Sequence, residues 1–574
     1  MEKILYLLID KKDLTKKFDK KVDLFTLNEF VISEFEKKNF NHFFPKAKET
    51  SILSESLIYK TKETKIEIYK KIKDLYIFNQ IEDLNELIEP FLEAKISRFY
   101  YLKNSIPDYK KYILLGNRKN KVFYSKIDLI LAIDKTYTIE DSKNRDCNNK
   151  FLKFNYNFYN TWLLRIQEFF IKKLLKSKGK EISFLSAKEA YFIKILKDKI
   201  KTQNKIVLYY DSSNSYLKIT LLTLRQIYKS IFNKGITEIG MFLLAENKLN
   251  DNYREINKNI INFEINDLRK SYSSYLIKQL YCYVQNYLSY KKYLLKFFRI
   301  IETKKSYFHT TRYPDLFAFS RALTSLNKKV NLISHGSHTV QDKGSAGEIA
   351  SQCMASGLTY TNQRKIKILS QSLYCDDFLD SLDISYQKID RLFQPNLSYK
   401  NDSKLMNQNS KIKILLIGTV KKLGARRYYF ESSSEFFESI NKIYEKLINH
   451  KDIFEISLRI RDVRNEVNKD ILNNALRNKK DLINISTIDS IYDEIKNSAC
   501  IISYSSTVLE ESLIMNKPVI CFGIPEYNHL KHYENKEMIN LKNYVDEKLK
   551  LIENLLGKKF IYPSKRKRLT NNEF

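Results

Sequence analysis

Short apolar runs alternate along this chain with amphipathic segments of helical spacing. "KILYLLID" (3–10), "VDLFTL", "YILLGN" (112–117), "DLILAID" (128–134), "KIVLYYD" (205–211) and "ITEIGMFLL" (236–244) each read as a buried strand. Residues 50–105, 155–202, 216–233 and 266–300 carry helical patterns, of which "NTWLLRIQEFFIKKLLK" is the clearest. Further on, "KSYFHTT" and "KVNLISHGSHT" predict strands either side of a helix over 312–327 with Pro314 in its first turn. From 411 the alternation becomes regular. Strands are predicted at 411–419, 454–460, 482–487, 499–503 and 518–522, with helices at 432–449, 489–498 and 507–515. Strand–helix alternation of this kind predicts an α/β protein with doubly wound parallel sheets.

Residues 396–410, "NLSYKNDSKLMNQNS", are polar and without period, so they are read as a linker. The expected organisation is one doubly wound domain over 1–395 with large helical insertions, a second over 411–556, and a basic tail over 557–574. At 574 residues the chain is too long for a single core.

The net charge of +33 favours anionic partners. The lysines are spread, not striped, and no helix-turn-helix or RNA-binding signature is present, so nucleic acid is not an expected partner. Six cysteines without CxxC spacing fit a reducing cytoplasm. No run of about 18 apolar residues predicts a membrane span, and the N-terminus lacks a signal-peptide pattern. Any contact with an anionic membrane is expected to be peripheral.

Candidate chemistry sits in turns at predicted strand ends. Six of the twelve glycines lie between Gly336 and Gly424, which implies special backbone positions there. "LISHGSHTVQDKGSAGE" offers His335 and His338 around Gly336 and Ser337, and His309 closes the preceding strand. A histidine at a strand's carboxyl end can act as a general base or donate to phosphate, and it can equally be structural. Its spacing and the single nearby acid, Asp342, do not make a zinc site. Gly418 and Thr419 open a basic loop that lacks the GxxxxGK[ST] pattern. Arg459 and Arg461 alternate onto one face at a strand end, where they bind an anion or pair with a local acid. Ser505, Ser506 and Thr507 lie between a strand and a helix, so they either cap that helix or hold a phosphate. Glu526 follows the Gly523–Pro525 turn and could hold a ribose or sugar hydroxyl, or sit as a helix N-terminal acid.

The segment "SYSSTVLEESLIMNKPVICFGIPEY" resembles the bacterial capsule polysaccharide biosynthesis family, which includes Kdo transferases. There a serine/threonine turn, a Glu-containing helix (Glu510 here), Lys-Pro and a Gly-x-x-x-Tyr turn follow one another. "SHGSH" partly matches the His-Gly-Thr turn of the CDP-glycerol glycerophosphotransferases. The resemblance implies a GT-B fold, two Rossmann-like domains facing a cleft, with no metal and no cofactor. It implies a glycosyltransferase moving a sugar from a nucleotide-sugar donor, with a CMP-sugar such as CMP-Kdo favoured, to a surface-polysaccharide or lipid-linked glycan acceptor. Ser505, Ser506 and Thr507 would hold the donor phosphate, with His335 and Gly336 across the cleft. One departure matters: "LRIRD" stands where related Kdo transferases carry His-Pro, which leaves UDP, GDP and CDP donors open beside CMP. A CDP-polyol phosphotransferase and a non-catalytic assembly protein of the same fold are the alternatives.

Overall fold

The computed structural model describes residues 4–8, 23–26, 42–43, 55–109, 111–115, 137–140, 168–169, 181–186, 206–210, 238–241, 264–266, 270–334, 340–355, 366–371, 373–389, 411–418, 440–441, 443–445, 447–460, 483–485, 491–503, 507–515 and 519–521, with single positions between them. Among the described residues there are three sheets, and every strand pairing in them is parallel.

The first sheet contains β1 (Ile4–Leu8), β2 (Asp23–Thr26), β3 (His42–Phe43), β4 (Lys111–Leu115) and β5 (Tyr137–Glu140) in the order β3-β2-β1-β4-β5. Between β3 and β4 lie the helices α1 (Glu55–Ile72), α2 (Tyr76–Asn79) and α3 (Leu84–Ser105). The second sheet contains β6 (Ile182–Ser186), β7 (Ile206–Tyr210), β8 (Glu238–Met241), β9 (Lys305–Phe308), β10 (Lys329–Ile333), β11 (Ile366–Ser370) and β12 (Gln387–Lys388). Its order is β12-β11-β10-β9-β6-β7-β8. Helix α4 (Lys270–Ile300) precedes β9, and α5 (Pro314–Ser325), α6 (Ala346–Met354) and α7 (Leu373–Ser381) follow β9, β10 and β11. The third sheet contains β13 (Ile412–Gly418), β14 (Phe454–Ile460), β15 (Ile483–Ile485), β16 (Cys500–Ser503) and β17 (Val519–Cys521) in the order β15-β14-β13-β16-β17. Helices α8 (Ile491–Lys496) and α9 (Thr507–Ile514) flank β16.

The α/β class and the parallel sheets are as the pattern predicts. Strands of parallel sheets are covered on both faces and read as continuous apolar runs. Leu415, Leu416 and Ile417 of β13 and all four residues of β16 are buried accordingly. Two features differ from expectation. The first 395 residues carry two sheets where one was expected. Residues 182–186, inside a stretch read as helical, form β6, an inner strand of the second sheet. "ISFLS" is a short apolar run in a lysine-rich frame, and periodicity alone cannot separate such a run from a buried helical turn. The strand expected at 128–134 and the linker at 396–410 lie outside the described residues.

The first two sheets share one apolar core. Leu5, Leu7 and Phe25 of the first sheet belong to the same buried cluster as Phe184, Leu208 and Phe308 of the second. The helices α1, α3 and α4 supply the residues between them, with Phe99 stacked on Tyr272 at 4.2 Å between ring centroids. Buried charge also runs through this layer. Glu86, Glu89 and Glu93 occupy one face of α3 at helical spacing. Lys65 of α1 donates to Glu89 at 2.6 Å and to Glu93, and Glu93 is fully buried. Burial by itself would lower the Lys65 pKa, but Glu93 and then Glu89 outweigh it and hold the ammonium above its usual range. Arg321 of α5 reaches Asp83 at 3.0 Å and also Glu86, while its guanidinium lies 4.7 Å from the Phe317 ring centroid.

Removing one partner of a buried ion cluster strands the other charge without solvent. Lys65→Met should therefore lower stability by about 3–5 kcal/mol. A urea titration would show this as a fall in the unfolding midpoint. The half-exposed surface pair Lys172–Glu168 is the control, and its loss should cost about 0–1 kcal/mol.

Candidate functional site

In a doubly wound sheet, ligands bind outside the carboxyl ends of the strands, where the strand order reverses. The strand orders locate that point in each sheet: between β1 and β4, between β6 and β9, and between β13 and β16.

At the third sheet, β13 ends on the buried Gly418 and β16 ends on Ser503. Three residues, 504–506, then separate Ser503 from Thr507, the first residue of α9. A helix N-terminus therefore lies beside the reversal point, where unsatisfied N–H groups and the helix dipole favour an anion. Ile417 pairs in register with both Arg459 and Ser503, and Ser503 pairs with Cys521. In parallel register the side chains of Ile417, Arg459 and Ser503 share one face. Ile417, Leu415, Ile501 and Val519 pack there with Ile495 of α8 and Leu509 of α9.

Arg459 thus lies on the helix-covered face near the carboxyl edge. Its Nη1 donates to Glu494 Oε2 at 2.8 Å. The Glu494 side chain is fully buried, whereas that of Arg459 is 23% exposed. The other Glu494 oxygen, Oε1, and the buried Ser503 hydroxyl have no hydrogen-bond partner among the described residues. Lys517, in the Lys-Pro pair before β17, donates from Nζ to the carbonyls of Lys496 and Ser498 at 2.6 and 2.9 Å. It closes the end of α8, where a cation suits the exposed carbonyls. Burial, then the neighbouring Lys496 charge, lowers its pKa.

At the second sheet, Ser186 ends β6 and the buried His309 follows β9. Ser186 pairs in register with Tyr210 and with Phe308. Its fully buried hydroxyl has no hydrogen-bond partner among the described residues. Helix α5 begins here with Pro314 and Asp315. Asp315 Oδ1 accepts from the Leu316 N–H at 2.9 Å, and Oδ2 accepts from the Tyr210 hydroxyl at 2.7 Å.

The chain that follows β10 is held at both sides of residues 335–339. Ser334 accepts two bonds from Gln371: N–H to Oγ at 3.2 Å, and Nε2 to the carbonyl at 2.5 Å. On the far side, Tyr59 of α1 donates to the Gly344 carbonyl at 2.8 Å. Gly344 adopts φ +77°, a conformation open to glycine at no steric cost. Ser345 caps α6 by accepting from the Glu348 N–H, and Glu348 reaches back to the Gly344 N–H.

Of the residues singled out from sequence, Gly418, Arg459 and His309 stand at strand ends as described, and Thr507 opens α9. Glu510 lies in α9, but its side chain is not described. His335, Gly336, Ser337, His338, Thr419, Arg461, Ser505, Ser506 and Glu526 lie outside the described residues. Sequence reasoning missed Ser186, Tyr210, Asp315, Gln371, Glu494 and Ser503. Only Asp315 left a local signal, as the acid after Pro314 at a helix start. The described residues hold no group of three or more His, Cys, Asp or Glu placed to bind a metal.

No protein-family model matches this sequence, and no curated protein matches it. Solved structures are similar only in broad chain path. A glycosyltransferase from Rickettsia africae ESF-5 is 13% identical, with 66% of this chain and 90% of that chain covered and a TM-score of 0.36. A UDP-GlcNAc 2-epimerase from Neisseria meningitidis bound to UDP-GlcNAc is 11% identical, with 65% and 91% covered and a TM-score of 0.33. The wall teichoic acid polymerase TagF is 13% identical, with 72% and 93% covered and a TM-score of 0.32.

Proposed function

We propose that this chain is a GT-B glycosyltransferase that takes a nucleotide-sugar donor at its third sheet. One observation carries the reading. The strand order reverses between β13 and β16, and α9 opens at that same point on Thr507, which Ser505 and Ser506 precede in sequence. Helix N–H groups and hydroxyls neutralise a leaving diphosphate without a metal. The acceptor belongs to the half that ends at residue 395, with His335 as its general base or phosphate donor. The neighbouring solved structures include one bound to UDP-GlcNAc, which agrees with a sugar-nucleotide ligand without specifying this chain's donor. Transfer to a surface glycan, with CMP-, UDP- or GDP-linked donors, completes the reading. A CDP-polyol phosphotransferase is the second reading, supported by the sequence His335-Gly336-Ser337, which partly matches the His-Gly-Thr motif of that family.

A nucleotide panel tests the donor assignment. CMP, CDP, UDP and GDP, free and sugar-linked, are added in a thermal melt. A true donor at 100 times its dissociation constant stabilises the protein by about 2.7 kcal/mol. If none shifts the melt, the donor assignment fails. Release of CMP from CDP-glycerol, with no turnover of nucleotide sugars, would favour the phosphotransferase.

His335→Ala should cut turnover by about 10²–10⁴-fold, the usual contribution of general acid–base assistance. Nucleotide affinity should hardly change, because the donor contacts come from the other half. His338→Ala is the control and should lose less. Turnover above about a third of wild type in His335→Ala would make that histidine structural.

Arg459 separates a structural from a donor-binding role. Arg459→Ala should cost about 3–5 kcal/mol of stability, because Glu494 is left buried without its cation. Arg459→Lys keeps a charge but not the planar fork. If Arg459 also contacts donor phosphate, the Lys variant melts near wild type and binds nucleotide more weakly. Unchanged affinity in that variant would assign Arg459 to packing alone.

A further inference from the structure

The lysines are spread along the sequence, but the fold gathers several of them at the amino edge of the second sheet. Helix α4 ends at Ile300, and the residues after it run straight to that edge. There the Lys304 N–H donates to the carbonyl of Ile182, the first residue of β6, at 3.0 Å. On the last turns of α4, Lys292, Lys296 and Arg299 recur at helical spacing, and all three are exposed. Leu294, Phe297 and Phe298 of the same turns are buried on the other side. Lys305 and Lys329 open β9 and β10 and pair in register, so their side chains leave one face of the sheet. Two acids at this edge are already taken: Glu302 pairs with Lys328 at 3.6 Å, and Glu181 pairs with Lys304. The side chains of Lys292, Lys296, Arg299, Lys305 and Lys329 make no ion pair among the described residues.

Helix ends do not account for these cations. α4 ends at this edge, and so does α5, which the Lys328 N–H closes on the Leu323 carbonyl at 3.0 Å. A helix C-terminus is equivalent to about half a negative charge, so a single cation would balance the two ends. Ile300 is an observation of a different kind. It is 52% exposed, next to Arg299 and one turn beyond Lys296.

We propose that the amino edge of the second sheet, together with the last turns of α4, docks on an anionic phospholipid membrane. The cations meet the lipid phosphates, and Ile300 enters the apolar boundary beneath the headgroups. Ile300 separates lipid from a soluble polyanion. A nucleic acid or an acidic glycan would satisfy the cations equally but offers an aliphatic side chain no hydrocarbon to enter. Among the described residues no helix is long and apolar enough to cross a membrane, and this contact needs none. Docking here leaves the carboxyl edge, at the opposite ends of the same strands, open to ligands. The proposal does not depend on the transferase reading.

The test uses the full chain in vesicle sedimentation. Vesicles of pure phosphatidylcholine are compared with vesicles holding about one third phosphatidylglycerol, at about 0.1 M salt, where charges act over about 10 Å. The wild type should bind the anionic vesicles and not the neutral ones. A basic residue near an anionic surface contributes about fivefold in affinity. Lys292→Gln, Lys296→Gln and Arg299→Gln combined should therefore weaken binding about 100-fold. Lys305→Gln with Lys329→Gln should weaken it about 25-fold, and that variant decides the matter if the helix variant does not fold. Ile300→Ser should weaken vesicle binding roughly tenfold while leaving heparin binding unchanged. Lys62→Gln, Lys70→Gln and Lys73→Gln combined remove the same charge elsewhere. These exposed lysines lie on α1 or just after it. Helix α1 touches the chain just before α4, where Lys71 donates to the Glu264 carbonyl at 2.5 Å. A helix of 31 residues puts the two ends of α4 about 46 Å apart, far beyond the screening length. That variant should bind vesicles as the wild type does. The proposal is overturned if the wild type binds neither vesicle or both alike. It is also overturned if the α1 variant loses as much affinity as the α4 variant. Tighter binding to heparin or duplex DNA than to anionic vesicles, insensitive to Ile300→Ser, would assign the surface to a soluble polyanion and overturn the lipid assignment.

Discussion

Parallel pairing is the constraint from which the rest of this molecule follows. When all strands in a sheet run the same way, their carboxyl ends line one edge, and each connection must cross back over a face. The crossovers cover both faces with helices, so the strands can be apolar throughout. The carboxyl edge is then the part of each sheet where polar residues gather. Ser186, His309, Ser334, Ser370 and Gln371 gather there in the second sheet, and Ser503 and Arg459 in the third. Reversal of the strand order opens a gap between two helices leaving in opposite directions. That gap is where a ligand meets helix N–H groups without displacing a packed side chain.

The two sheets arrange charge differently around the same geometry. In the third, the buried acid Glu494 sits back from the edge and ties down Arg459, so the cation, not the acid, is the more exposed partner. In the second, the acid Asp315 is itself at the helix start and is partly exposed. Desolvated ions cost several kcal/mol each unless paired and hydrogen-bonded. Both arrangements therefore carry an expense that packing alone would not require. Each also fixes one charged group at the edge where a substrate arrives.

The third sheet was legible from sequence almost strand by strand, because "ILLI" and "CII" are apolar runs and "FEISL" alternates apolar and polar residues, each bounded by clear turn chemistry. β14 was predicted at its observed bounds. The second sheet was less legible. β6 lay hidden among lysines, and no periodicity states which strands pair, so two sheets looked like one. The strand-end turns were recognisable as candidate sites, since glycine, histidine and serine cluster there. Their partners were not. Glu494 lies 35 positions from Arg459, and Asp315 lies 105 from Tyr210. Each acid becomes significant only when strand order puts it beside the other residue. The acidic stripe of α3 misleads in the other direction. In sequence Glu86, Glu89 and Glu93 are simply part of a Lys- and Glu-rich helical pattern, yet they are the counter-ions of Arg321 and Lys65, with Glu93 fully buried.

That stripe also gives the first sheet and its helices a physical connection to the second sheet's edge. Helix α5 carries Asp315 at its start and Arg321 less than two turns later. Arg321 is held by Asp83 and Glu86, so the acids at the start of α3 fix the rotation of α5 about its axis and, with it, the direction of Asp315. Helix α1 acts on the neighbouring segment: Lys65 anchors it to α3, and Tyr59, on the same helix, holds the Gly344 carbonyl beyond β10. Both links are charged or hydrogen-bonded, and they tolerate little misalignment where apolar packing would tolerate more. The helices of the first sheet therefore specify the geometry of the second sheet's carboxyl edge without contributing a strand to it. A chain lacking them would lose the orientation of α5 and the anchor at Gly344 while keeping every strand of the sheet itself.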